Sequence, residues 1–217
     1  MNIKNLLYNV TKIFFERSQY SVSVHRLKSQ HGAATFTWCE DNGTQTGSPV
    51  HGTTRTGFGG SGSATDMNWK NHDDCTNGAG GTSYTANPIV AGNDSFIKYQ
   101  YGEFTGTFNQ ILNGLWSLHT AGSLGTGLTL VGTVSSTYAT PVTSGLGGSP
   151  TNFTSVVAIG SGLGVNFSTT GPEASSPSST LSAAGYTQYL ISQLQTSGSA
   201  AAGDTATVTA TLQYNEN

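Results

Sequence analysis

Two cysteines, a few histidines and one short acidic run are the residues in this chain whose types could do chemistry. Cys39 lies in "TWCEDNG" and Cys75 in "NHDDCTNG", each beside acidic residues and just ahead of an Asn-Gly pair. A disulfide between them would close a loop of about 36 residues and stabilise the fold by about 3–4 kcal/mol in the chain-entropy account. In a reducing setting both would stay thiols, and spacing alone does not choose, because the geometry of a bridge is not written in sequence. The run His72-Asp73-Asp74-Cys75 contains metal-ligand types. It has neither the paired C-x-x-C couples of structural zinc sites nor the spaced Asp/Asn array and glycine of a calcium loop. It reads as a polar turn, and no metal or cofactor is expected.

Catalytic patterns are equally thin. Cys39 could be paired with His25, His31, His51 or His72, but nothing in the spacing brings one to it. There is no G-x-S-x-G, and "GSGLG" around Ser161 lacks the strand–turn–helix setting of a nucleophile elbow. No G-K-[ST] phosphate loop occurs. Beyond Glu103 the acidic residues are only Glu173, Asp204 and Glu216, a poor supply for paired-carboxylate chemistry. The chain is expected not to be an enzyme. A glycan-binding groove is the stronger rival, with Trp69, Tyr84, Tyr99, Tyr101 and Tyr138 available as stacking platforms. The alternative for each ring is burial between sheets or at a subunit contact.

Composition constrains the elements that would position such residues. Charged residues make up 9% of the 217, against about 25% in typical soluble domains. Gly, Ser and Thr are abundant, so hydroxyls and amides must solvate the surface, as suits an extracellular protein or a densely packed assembly. Five basic residues, Lys4, Lys12, Arg17, Arg26 and Lys28, fall in the first 28, opposed only by Glu16; after Lys98 there is no Lys or Arg. A net charge of −3 does not suggest direct nucleic-acid binding. The basic head suggests docking on an acidic partner. No apolar run is long enough for a transmembrane helix, and the polar interruptions in "NIKNLLYNVTKIFFERSQY" do not make a signal peptide.

Ile3, Leu6, Leu7, Val10, Ile13 and Phe14 recur at helical spacing, so residues 1–30 read as a basic docking arm with a short amphipathic helix, Arg17 included. "YSVSVHRL" (20–27) alternates as a strand. In "AATFTWC", Ala34, Phe36 and Trp38 share a face. Residues 41–65 and 71–88 read as long surface loops, part of a loop-rich region over 31–88 that contributes strands. From Ile89 to Asn217 short strands alternate with Gly-rich turns, the pattern of an all-β antiparallel sandwich or jelly roll. "SFIKYQYGEFTGTF" is one long strand expected to bend at Gly102. Phe104, Gly106 and Phe108 fall on one inward face, the glycine leaving room for an opposing ring. Asn109, Gln110 and Asn113 are expected at turns and strand ends, and Trp116 as a core anchor beside Phe104 and Phe108. In "TATVTATLQY" Ala206, Val208, Ala210, Leu212 and Tyr214 form an apolar face opposite threonines.

The order of these segments resembles a group of tailed-bacteriophage virion proteins. The resemblance runs over about residues 65 to 217. It is carried by "NWKNHDD" ahead of "NPIVAGNDSFIKYQ", then "FTGTFNQILNGLW", "GLTLVGTVSSTYATPVTS" and the closing "AAGYTQYLISQLQTSGSAAAGDTATVTATLQYNEN". The resemblance implies a non-enzymatic β-sandwich protein located in the virion, mediating assembly contacts at the neck, collar or tail. Capsid decoration is the alternative within that class, and a glycan-binding module on a virion or cell surface the alternative outside it. The implied partners are portal, connector, tail or capsid proteins and further copies of the chain, with no membrane.

Overall fold

The computed structural model describes residues 32–60, 69–75, 86–120, 123–154, 161–201 and 208–217. The docking arm, with Ile3, Leu6, Leu7, Val10, Ile13, Phe14 and Arg17, lies outside the described residues, as do the strand expected over 20–27 and the segment "SVVAIG". The described part is all-β and contains no helix. Its strands are β1 (Gly32–Thr46), β2 (His51–Gly60), β3 (Lys98–Phe108), β4 (Ile111–Thr120), β5 (Leu128–Ser135), β6 (Thr151–Asn152), β7 (Leu163–Val165), β8 (Phe167–Ser168), β9 (Thr180–Leu181), β10 (Gly185–Thr187), β11 (Tyr189–Thr196) and β12 (Val208–Glu216). They form two antiparallel sheets. One runs β2-β1-β3-β11-β5-β6, with β10 bonded to β3 and β8; the other runs β12-β4-β7, with β9 on β4.

The main core joins side chains from both sheets. Phe36, Trp38, Phe104 and Leu190 come from the first, and Trp116, Leu118, Leu212 and Tyr214 from the second. Period-two alternation supplies these faces: Val208, Ala210, Leu212 and Tyr214 of β12 all enter the core. Phe104, Phe108 and Trp116 are 0%, 8% and 0% exposed. Trp116 meets Phe153 edge-on, with ring centroids 5.6 Å apart, and the gap for its indole is left by Gly132 of β5. A Cβ there would stand 2.9 Å from Trp116 Cη2 and 3.0 Å from Phe153 Cε2. In β11 the six residues Tyr189–Leu194 are all buried, so both faces of that strand are covered.

Several expectations are corrected. The span 41–65 is not a loop as far as it is described: residues 41–46 continue β1 and 51–60 form β2, joined by a turn at 47–50. The apolar alternation that marks a strand is missing because β2 is an edge strand, with Thr53 and Thr54 exposed. Residues 69–75 and 86–88 do lack strand structure, and 76–85 lie outside the described residues. Pairing of β3 with β1 runs without a register shift through Gly102. What changes near Gly102 is the partner on the other side, β11 up to Gln100 and β10 from Glu103. Gly102 is also the glycine that makes room for a ring, since an added Cβ would strike Phe36. Gly106 instead is exposed and takes a φ of 89°, which favours glycine. Asn113 lies inside β4 at φ 57°, a left-handed conformation that Asn tolerates better than most residues. Residues 31–88 contribute β1 and β2 to the larger sheet: β1 pairs with β3 along ten residues, and Phe36 and Trp38 share the main cluster.

Candidate functional site

The residues with chemical potential gather on the two sides of one stretch of β1, Cys39-Glu40-Asp41-Asn42. Strand alternation sends Glu40 and Asn42 toward the core side and Cys39 and Asp41 to the opposite face.

On the core side Glu40 is fully buried beside Lys98, which is 1% exposed. Lys98 Nζ donates to Glu40 Oε1 at 2.8 Å and to the Asp74 carbonyl at 2.7 Å. Asn42 Nδ2 donates to the same Glu40 Oε1 at 2.8 Å and to Asp73 Oδ1 at 3.1 Å. Gln100 Nε2 donates to Glu40 Oε2 at 3.0 Å. The segment 69–75 lies over this end of the core. Trp69 Nε1 donates to Ser192 Oγ at 3.2 Å, the Gly43 N–H donates to Asp73 Oδ2 at 2.8 Å, and the fully buried Lys70 pairs with Asp74 and donates to the Cys75 carbonyl at 3.1 Å. Asp73 and Asp74 of the "HDDC" run are thus tied to protein partners, and among the described residues no group of three or more potential ligands could hold a metal ion.

On the opposite face Asp41 is fully buried. It accepts from the Tyr189 hydroxyl at 2.6 Å and pairs with Arg55 at 3.2 Å. Arg55 reaches from β2 across Asp41 to Glu173, 3.0 Å away on the segment between β8 and β9. Burial raises the Asp41 pKa, while Tyr189 and Arg55 oppose the rise. Arg55 stays cationic, because Asp41 and Glu173 outweigh its partial burial. Around this cluster Tyr99, Tyr101, Tyr138 and Tyr189 pack edge-on or tilted, with centroids 4.7–5.8 Å apart for the pairs Tyr99–Tyr138, Tyr99–Tyr189, Tyr101–Tyr189 and Tyr138–Tyr189.

Cys39 and Cys75 are both buried and free. Cys39 sits among the tyrosines, 4.0 Å from Glu103 Oε2. Cys75 belongs to the segment over the other face, so the sheet carrying β1 stands between them and no disulfide joins them. Burial, with Glu103 adding to it, pushes the Cys39 thiol up to about 12. A thiol so far from ionising is a poor nucleophile. Three of the five candidate sugar platforms are taken into the interior. Tyr99, Tyr101 and Tyr138 are buried, Trp69 is half-buried against the core, and Tyr84 lies outside the described residues. A cleft of about 330 Å³ is lined by Ser and Thr residues between Ser168 and Ser182, with Phe167 and Leu181.

Burial also raises the pKa of Tyr99, Tyr101, Tyr138 and Tyr189. Each folded pKa lies above its unfolded value, so the stability these groups and Cys39 contribute is complete below the unfolded pKa and is lost as pH rises toward the folded one. We expect a stable plateau up to about pH 9, followed by cooperative alkaline unfolding. Tyrosinate absorbance of these four rings should appear together with the loss of circular dichroism. Independent ionisation of every tyrosine near pH 10, with the β signal intact, would contradict their burial.

Sequence reasoning missed Glu40, Asp41, Arg55, Lys98 and Glu173. Their one signal was scarcity: in a chain this poor in charge, a Lys between apolar neighbours in "FIKYQY" needs a partner indoors. The chain matches no family model, no curated protein and no solved structure.

Proposed function

We propose that this chain is a non-enzymatic structural protein of a tailed-bacteriophage virion, an antiparallel β-sandwich or jelly roll that makes assembly contacts at the neck, collar or tail. The observation that carries the reading is the segregation of charge. Beyond residue 31 the sequence holds only three basic residues, Arg55, Lys70 and Lys98, and each is engaged by a carboxylate of the same body. The other five precede residue 29. Ten acidic residues lie beyond residue 31 against one before it. A basic arm is therefore complementary to an acidic body, either that of another virion protein or that of a neighbouring copy. Val90 and Val142 are the large apolar side chains exposed among the described residues, so recruitment falls to the arm and to hydroxyl- and amide-lined surfaces. Resemblance to phage virion proteins in the order of segments supplies the setting. The glycan-binding alternative loses weight with Tyr99, Tyr101 and Tyr138 buried.

Deleting residues 1–30 should leave a folded β-protein that no longer enters particles. Mixed-infection complementation with the truncated gene, followed by protein quantification of purified virions, reads this directly. Incorporation at the normal copy number would refute the arm. Copy number also separates a neck ring from a decorated capsid lattice.

A further inference from the structure

We propose that Lys98 and Asn42 form an intramolecular isopeptide bond, with Glu40 as the proton-transfer group. Three observations carry this. First, one oxygen, Glu40 Oε1, accepts from both Lys98 Nζ and Asn42 Nδ2 at 2.8 Å. The amine and the amide are therefore within two hydrogen-bond lengths of each other, bridged by the one group able to move a proton between them. Second, β1 and β3 hold this arrangement rigidly. Their pairing runs through Asp41 and Tyr99, and the next residues along the two strands are Asn42 and Lys98, each 3% exposed or less. Third, Asn42 Oδ1 is buried with no hydrogen-bond partner, which is unusual for a buried amide and calls for an explanation. Its Nδ2 faces two carboxylates, so the amide orientation is set by its neighbours.

The chemistry balances without a co-reactant. Proton transfer from Nζ to Glu40 frees the amine lone pair, which attacks Asn42 Cγ. Glu40 returns a proton to Nδ2, the Cγ–Nδ2 bond breaks, and ammonia leaves. Glu40 is a carboxylate again once it has returned that proton, the remaining extra proton on Nζ passes to the departing ammonia to give ammonium, and the product is an amide between Lys98 Nζ and Asn42 Cγ. Nothing is oxidised or reduced. Proximity of this kind turns a reaction that is negligible between free side chains into a unimolecular step. The bond would tie β1 to β3 and close residues 42–98 into a covalent loop, a mechanical clamp between adjacent strands of the larger sheet.

The test is intact-mass spectrometry of the purified, denatured full chain, followed by peptide mapping. The expected result is a mass lower than the sequence mass by one ammonia, and a branched peptide joining the Asn42 and Lys98 segments. The Glu40→Gln variant should keep the unmodified mass. A wild-type mass equal to the sequence mass, in protein showing the β-sheet signal before denaturation, would overturn the proposal. So would a loss of ammonia without a branched peptide. That result would mark cyclisation of Asn42 onto the Gly43 N–H, a linkage that hydroxylamine cleaves and an isopeptide resists. A branched peptide that instead joins Lys70 to Asp74, with loss of water, would overturn it as well.

Discussion

Replacing Lys98 by methionine is expected to destabilise the protein by about 3–5 kcal/mol. The substitution keeps the length of the side chain and removes the nitrogen that donates to Glu40, leaving the fully buried Glu40 carboxylate with Asn42 and Gln100 as donors. It also releases the Asp74 carbonyl, which accepts from Lys98 at 2.7 Å and helps seat the segment 69–75. Stability of a domain this size is about 5–15 kcal/mol in total, so the loss is a large share of it. Urea denaturation followed by tryptophan fluorescence measures it as a lower midpoint. The double variant Lys98→Met/Glu40→Gln should recover part of the loss, because a neutral amide costs less to bury than an unpaired carboxylate. A single-variant midpoint within error of wild type would mean that Glu40 finds water or another cation, and that this end of the core is open.

Trp116→Ala should cost about 3–5 kcal/mol. The indole is fully buried between the sheets, against Phe153, and Gly132 leaves it space that no neighbouring side chain fills once the ring is gone. Trp116→Phe should cost clearly less. It keeps a ring in contact with Phe153 and removes an indole N–H that lacks a hydrogen-bond partner, an unmade bond that itself costs about 1–3 kcal/mol. Thermal unfolding of the three proteins in parallel should rank wild type, Phe and Ala in that order. Equal destabilisation by Phe and Ala would show that the ring's contacts with Phe153 contribute little.

Legibility in the sequence differed sharply from strand to strand. Along β12 every second residue from Val208 to Tyr214 is apolar, and the core face of that strand can be read directly. Phe104, Phe108 and Trp116 were equally legible, since large rings with period-two neighbours in a low-charge chain have few places to go but inward. The run "WCEDNG" was not. Asp41, Asn42 and Gly43 read as the start of a loop, because local pattern presumes that such residues face water. Glu40, Asp41 and Asn42 are buried because β3 brings Lys98 and Gln100, β2 brings Arg55, and the segments around Asp74 and Glu173 supply the covering layers, all distant in sequence.

The sequence by itself determined an all-β chain with strands divided by glycine turns, apolar faces repeating every second residue, and a basic head before a body nearly free of Lys and Arg. Only the tertiary structure decided that β1 lies inside the larger sheet, that Cys39 and Cys75 stand on opposite sides of it, and that Lys98, Glu40 and Asn42 meet. The physical reason is that alternation and turn propensity act between near neighbours and are written locally, whereas a charge is tolerated in the interior only when a distant segment delivers its partner, and no local pattern records which segment that is.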